Sequence, residues 1–437
     1  MRSSAASSTW AARRSRITSR SSNASADRPA FMTVVFSLAR RRAVFAAAST
    51  GYILSQFFRS FLTVVVDDLS RDLAIGPKEF GALGAAWFFA FALMQIPVGI
   101  WLDRYGPRRT TVAMMALAVL GAVLFAQATS FWSAATGMAL IGAGCAPILM
   151  GALYFFGRTE EPQRFATLAS MFLGVGLLGG LLAAAPLAYV VALIGWRTAF
   201  LLMAGVTLAS LLLIAVVMRD PPRAEQAGEG GSMVEAFLIL LKLPGMVPIL
   251  MMSLVVTGAV WTERSLWVGP FFAEAHGLAA LERSQIALAM GVGMTLCALL
   301  AGPIAGRLGR PKMVSLTGTL VACSGFLALA LWPSAPLPLA ILFTVQIGLF
   351  GATYAVMVGH ARLFLPAEVL GRGITLINFL NITGTGLMQY MSGAMVAHWK
   401  AEGLAAQAVY ANLHLMFGLL MLAGACFYSL APARPKD

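Results

Sequence analysis

Long apolar runs broken by short polar turns make up most of the chain. In the first half they lie near Ala43–Val66, Phe80–Leu102, Thr110–Ala128, Phe131–Phe156, Phe165–Ile194 and Trp196–Met218. In the second half they lie near Val247–Phe272, Ile286–Ala305, Met313–Trp332, Leu337–Ala361, Gly373–Ala397 and Val409–Leu430. A run of about 20 apolar residues is long enough to cross the hydrocarbon core as a helix. The runs are apolar on every face rather than alternating, so they predict helices and not the strands of a barrel. The pattern therefore predicts an all-α membrane protein of twelve transmembrane helices.

The polar turns are informative. Gly99-Ile-Trp-Leu-Asp103-Arg104-Tyr-Gly106-Pro107-Arg108-Arg109 separates the second and third runs. Gly99 lets a neighbouring helix approach, and Gly106 with Pro107 makes the turn tight. Asp103 sits at a helix end, where a carboxylate pairs with a guanidinium or caps another helix. Half a chain later, Gly302-Pro-Ile-Ala-Gly306-Arg307-Leu-Gly309-Arg310-Pro311-Lys312 separates the eighth and ninth runs. Further pairs repeat at a similar, not identical, offset. Gly151-Ala-Leu-Tyr154 matches Gly351-Ala-Thr-Tyr354, and Arg164-Phe-Ala-Thr-Leu168 matches Arg372-Gly-Ile-Thr-Leu376. The chain is thus read as two parallel six-helix repeats.

These hairpins resemble the signature loop of the major facilitator superfamily, which joins helices 2 and 3 and recurs between helices 8 and 9. The second copy departs from it, with Gly306 where the first has Asp103. The resemblance covers about residues 43–430 and implies two six-helix domains around a central cavity. It further implies rocker-switch alternating access, with no enzymatic activity. Asp103, Arg104, Arg108 and Arg109 would then latch the cytoplasmic side of the outward-facing state. Gly99, Gly106, Arg307 and Arg310 complete the gating set.

Composition agrees. The 437 residues are 59% hydrophobic and 11% charged, with a mean hydropathy of +0.81, against roughly 25% charge in a soluble domain. The net charge of +13 lies in turns assigned to the cytoplasm by the positive-inside rule, so no nucleic-acid partner is implied. Both termini are placed in the cytoplasm of a bacterial inner membrane. The expected segments are a basic N-terminus at 1–42, domains at 43–218 and 237–431, a linker at 219–236 and a tail at 432–437. Residues 1–31 carry six arginines against Asp27 and no apolar core. They are read either as an organellar transit peptide or as sequence ahead of a functional start at Met32, the second being preferred.

Cys145, Cys297, Cys323 and Cys426 fall inside apolar runs without metal or disulfide spacing, and the four histidines are scattered. Gly174-Val-Gly176-Leu-Leu-Gly179 has the spacing of a dinucleotide loop. It lies within a membrane helix with no strand before it, so tight helix packing is the better reading, with Pro186 kinking the span. No cofactor is expected.

Charges within spans are the functional candidates. Arg59 lies in the first span, and Glu263 and Arg264 in the seventh. Arg59 precedes Gly99 by 40 positions and Arg264 precedes Gly302 by 38, so the arginines hold nearly equivalent places in the two halves. Facing each other across a cavity, two guanidiniums would converge on one anion. This placement resembles the organophosphate:phosphate antiporters of the superfamily. Against it, Arg59 could snorkel to the surface, and Glu263 could neutralise an arginine or carry a proton. Helical register puts Gln56 one turn before Arg59 and Thr63 one turn after. Gln56, Tyr154, Tyr354 and Asn378 are further candidates for the solute site, and Trp261 and Trp267 for its walls. The expected function is secondary transport of a small organic anion by a monomer, coupled to protons or a counter-solute. The alternative is a proton-driven efflux permease for apolar compounds, with Glu263 as proton site.

Overall fold

The computed structural model describes residues 37–221, 233–366 and 370–434. The basic segment 1–31, Met32 and most of the central linker lie outside them. The first half comprises α1 (Leu38–Phe58), α2 (Val66–Leu73), α3 (Pro77–Tyr105), α4 (Pro107–Ala126), α5 (Phe131–Thr159), α6 (Pro162–Leu182), α7 (Ala185–Ile194) and α8 (Trp196–Val217). The second comprises α9 (Met233–Lys242), α10 (Met246–Thr262), α11 (Val268–Glu274), α12 (Ala280–Leu308), α13 (Pro311–Leu331), α14 (Leu337–Gly351), α15 (Tyr354–Ala361), α16 (Leu370–Ala401) and α17 (Ala406–Ser429). Among the described residues there is no strand, and nine helical segments are long and apolar enough to span a membrane. The bent pair α6 and α7 makes a tenth. α1 and α16, which carry more polar groups, pack into the same bundle: α1 against α6, α16 against α3 and α10. Twelve spans result.

Several boundaries differ from the sequence reading. Leu38–Arg42, assigned to the N-terminal segment, form the first turn of α1 with Ser37 as cap. The first span ends at Phe58 rather than Val66, because Phe61, Leu62 and Val65 bury themselves in a turn beyond it. The turn leads into α2, whose Leu69 and Leu73 face the core while Asp68 and Arg71 pair outside. α9 takes residues assigned to the linker. The fifth span bends by 42° at Ala183–Ala184. Pro186 removes the hydrogen bond that would reach back across that break. The glycines at 176 and 179 do pack tightly: a side chain at Gly179 would run into the backbone of Ile53 on α1.

The first hairpin is held from outside its own sequence. Asp220, just past α8, accepts from the Arg108 backbone N–H at 2.7 Å and lies 3.9 Å from the Arg109 Nε. It thereby caps the positive N-terminus of α4. Gly106 has φ +86°, and a Cβ there would sit 2.5 Å from Asp220 Oδ1. Gly106→Ala is therefore expected to cost about 1–3 kcal/mol, read as a lowered thermal midpoint. An unchanged midpoint would show that the hairpin relaxes without loss.

At the far end of the bundle, opposite the hairpins, the Trp196 indole N–H donates to Asp72 Oδ2 at 2.9 Å. With Arg71 and Arg197 nearby, this holds the Asp72 carboxyl below its usual range. The anchor stabilises the fold above that range and is lost as pH falls through the lowered value.

Candidate functional site

The seventh span changes its winding at the candidate residues Glu263 and Arg264. Between α10 and α11, Glu263–Trp267 form a π-helical turn. Such turns are rare and mark functional sites often. Here Glu263 turns toward α17, where its Oε1 lies 3.4 Å from His414 Nε2, both side chains wholly buried. Arg264 turns the other way, across to the first half. Its Nη1 donates to Ser60 Oγ at 2.8 Å and its Nη2 to the Gly180 carbonyl at 2.5 Å. Its Nε has no partner, and the residue is 4% exposed.

Arg59 caps the C-terminus of α1, half-buried. Its guanidinium lies 5.1 Å from the Trp87 ring centre, 5.2 Å from Phe91 and 5.7 Å from Trp261. Arg264 lies 5.9 Å from the same Trp261 ring. The two arginines, one from each half, thus share an indole. Among the described residues neither has an acid within ion-pair distance, and the Nε of Arg59 has no hydrogen-bond partner. The aromatic faces attract a cation weakly, roughly 0.5–2 kcal/mol each. They do not neutralise it as a carboxylate or phosphate would.

The other candidates are only partly brought together. Gln56 donates to the Tyr52 hydroxyl at 3.4 Å and leaves its Oε1 without a partner. Thr63 is not on the face of Arg59, because the helix ends before it. Its backbone N–H donates to the Ser265 carbonyl at 3.0 Å and its hydroxyl accepts from the Gly269 N–H at 2.9 Å. The Tyr354 hydroxyl donates to Asn378 Oδ1 at 3.2 Å, joining α15 to α16. Tyr154 is half-buried on α5. Trp267 does not wall the arginine site: its N–H donates to Ser392 Oγ at 2.8 Å, and it packs on Tyr410 within the second half. A groove of about 530 Å³ with an almost wholly apolar lining opens between α1, α7 and α8, but none of the candidate residues lines it.

The halves meet at the far end. Besides Arg264–Ser60 and Thr63–Gly269, Asp67 pairs with Arg283 of α12, and Gly81 of α3 lies against Gln389 and Gly393 of α16. At the hairpin end, Gly99, Gly302 and Gly306 have open space where a side chain would stand. Asp103, Arg104, Arg108, Arg109, Arg307 and Arg310 are exposed, and no ion pair engages Asp103 among the described residues. The contacts between the halves close this conformation at the far end.

Sequence reasoning missed Ser60, Gly180, Tyr52, Trp87 and Phe91 because nothing in their types marks them. His414 had a signal, being ionisable within a span. Among the described residues no cluster of His, Cys, Asp and Glu is suited to a metal.

The chain is 26% identical over 402 residues to an "MFS-type efflux pump" of Mycolicibacterium smegmatis, covering 85% of this chain and 88% of that one. Two other relatives match over shorter stretches. One is the "Solute carrier family 2, facilitated glucose transporter member 10" of Danio rerio, 32% identical over 41% of this chain. The other is the "Probable sulfoacetate transporter SauU" of Cupriavidus necator, 23% identical over 39%. The matched stretches span only 34% and 40% of those two relatives. Among solved structures, an inward-facing, unoccupied bacterial homologue of the human lysosomal transporter Spinster superposes with a TM-score of 0.71. It is 20% identical and covers 91% of this chain and 98% of that one. A D-xylose-proton symporter superposes with a TM-score of 0.70 at 15% identity, covering 87% and 96%. The sequence pattern of the family described as Major Facilitator Superfamily matches residues 48–387. With that match and the shared twelve-helix fold, the chain belongs to the major facilitator superfamily, whose members are membrane transporters.

Proposed function

We propose that this transporter carries a small organic anion, bound by Arg59, through alternating opening of its two ends. The observation that carries this reading is the Arg59 guanidinium: half-buried, set against the faces of Trp87, Phe91 and Trp261, and unpaired with any described acid. A cation removed from water without a counter-charge is costly, and an anionic solute is the natural partner. Apolar walls around one fixed cation suit a carboxylate or sulfonate on an apolar body. The likeness to a probable sulfoacetate transporter favours the same class.

In this reading Arg264 serves the gate while the far end is closed, because both its terminal nitrogens are engaged by the opposite half. It becomes free for the solute once the halves part there. The basic residues of the hairpins support a cytoplasmic hairpin end in a bacterial inner membrane, and in this reading the closed end is the outer one. The working unit is a monomer in the bilayer.

The test is thermal stabilisation of the purified chain by sulfoacetate, benzoate, glycerol 3-phosphate, neutral sugars and cationic dyes. An anion is expected to raise the midpoint by mass action. Stabilisation by neutral or cationic apolar compounds alone would overturn the anion reading. That result would favour efflux of apolar compounds, the reading closer to the M. smegmatis pump.

A further inference from the structure

Two buried side-chain amides flank the Arg59 guanidinium on its hairpin side. α1 runs away from the hairpin end and α3 runs toward it. Gln56 precedes Arg59 by one turn, and Gln95 follows Phe91 by one turn. Both therefore lie roughly 5–6 Å along the helix axes from the guanidinium and its rings, toward the hairpins. Gln56 is 5% exposed and Gln95 6%. Each leaves its Oε1 without a hydrogen-bond partner among the described residues. The Gln56 amide is anchored from behind. Its nitrogen donates to the Tyr52 hydroxyl at 3.4 Å, and the Tyr52 ring stacks on Phe172 of α6 at 5.0 Å between centres.

The second half brings polar groups to the same level. Gly84 of α3 lies against Gln389 of α16, and Gly386 lies against Phe88 and Phe89. The two helices are antiparallel there, and following that register for three turns puts Asn378 level with Gln95. The Asn378 side chain accepts from the Tyr354 hydroxyl at 3.2 Å, which adds α15 to the group. Amides that tie helices together look different. Gln346 donates to the Val321 carbonyl at 2.8 Å and to Ser324 Oγ at 3.0 Å. Gln389 also leaves its Oε1 unpaired, but it sits in the α3–α16 contact against Gly84.

We infer that the transported anion carries a hydroxyl group about one helical turn from its acid group, and that Gln56 and Gln95 select it there. This rests on Arg59 as the anion site. The hydrogen-bonding inventory carries the argument. The acid group takes the guanidinium, and the rings of Trp87, Phe91 and Trp261 suit an apolar body beside it. One turn further on, the amide oxygens call for a donor, because a buried acceptor left unpaired is costly. A hydroxyl donates and accepts, so it serves an amide whichever way its two ends lie. An anion without the hydroxyl leaves the amides unpaired, and sites built this way discriminate against the analogue that lacks the group. The far end is closed, so a solute arriving from the hairpin end meets the amides before the arginine.

The experiment uses the full chain in lipid nanodiscs and two matched pairs of acids: ω-hydroxyhexanoate with hexanoate, and p-hydroxybenzoate with benzoate. Calorimetric titration reads each affinity in the wild type, Gln56→Leu, Gln95→Leu and Arg59→Ala, with folding checked by the thermal transition. In at least one pair the hydroxylated acid is expected to bind the wild type about tenfold more tightly than its bare partner, or better. In the glutamine variants that advantage should shrink to about threefold or less, with the bare acid unaffected. A merely structural role for the amides would not move this ratio. Gln95→Leu should also keep its ligand-free midpoint, because its oxygen has no described partner to lose. Equal binding within both pairs overturns the selection and leaves the anion site standing, as does an advantage that survives both glutamine variants. Acid binding that Arg59→Ala leaves unchanged overturns the anion site, and the selection with it. If neither hydroxylated acid binds the wild type, the inference fails, and binding of the bare acids alone then leaves only the anion reading.

Discussion

Arg59→Ala should lose anion binding by about a hundredfold or more, while the ligand-free protein unfolds at the same temperature or higher. The two halves of this expectation have one cause. An anion bound at Arg59 gains two charge-assisted hydrogen bonds, each worth about 1.5–3 kcal/mol. Among the described residues no acid pairs with the guanidinium in the solute-free protein; it lies instead against the rings of Trp87, Phe91 and Trp261. Removing an unpaired, half-buried charge relieves a desolvation cost at the loss of weak ring contacts. Arg59→Lys keeps the charge but not the planar fork, and should fall between, at about tenfold weaker binding. Calorimetric titration with the anion that stabilises the wild type most reads the affinities. A ligand-free Arg59→Ala protein that is markedly less stable would mean that Arg59 is a structural cation, and that outcome would sink the site.

Gly81→Leu should trap the transporter with its far end open. Gly81 on α3 faces α16 so closely that a Cβ would strike the Gln389 carbonyl and sit 2.9 Å from the Gly393 Cα. These are backbone atoms, so no side-chain rotation makes room, and the two helices must part. Parting of the halves there is expected to break Arg264–Ser60, Thr63–Gly269 and Asp67–Arg283 together, because all three join the two halves at the same end. Overpacking costs about 1–3 kcal/mol or more. It falls only on the state closed at the far end, so the equilibrium should shift by roughly 10–100-fold. Spin labels at the exposed residues Arg71 and Leu281 report the far end, and labels at Arg104 and Arg307 the hairpin end. The first distance should lengthen and the second shorten. Transport should stop while anion binding persists. Unchanged distances would show that the α3–α16 contact is not a moving seam.

The hairpins illustrate how far local chemistry is readable. The glycines, Asp103 and the arginines near 104–109 are legible as a signature because the turn is built from adjacent residues. Asp220, which caps that hairpin, is not legible as such. It lies 112 positions from Arg108 and looks like an ordinary linker acid. The end of α1 is hidden for a related reason. Hydropathy cannot distinguish an apolar helix from the buried apolar turn at Phe61–Val65, and only burial against the neighbouring helices tells them apart.

By itself the sequence determined the class of molecule, the twelve spans, their twofold repetition and the matched arginines at 59 and 264. All of these follow from the length of apolar runs and the cost of placing charge among them, and both are properties of residues close in the chain. The tertiary structure decided what those charges meet. It sent Glu263 to His414 inside one half and Arg264 to Ser60 and Gly180 in the other, 204 and 84 positions away. It also decided that the far end is shut. Those outcomes depend on the rotation of a helix about its axis, here set by one π turn, and on which distant faces then pack together. Hydropathy is nearly the same on every face of a buried membrane helix, so the pattern along the chain carries no record of that rotation.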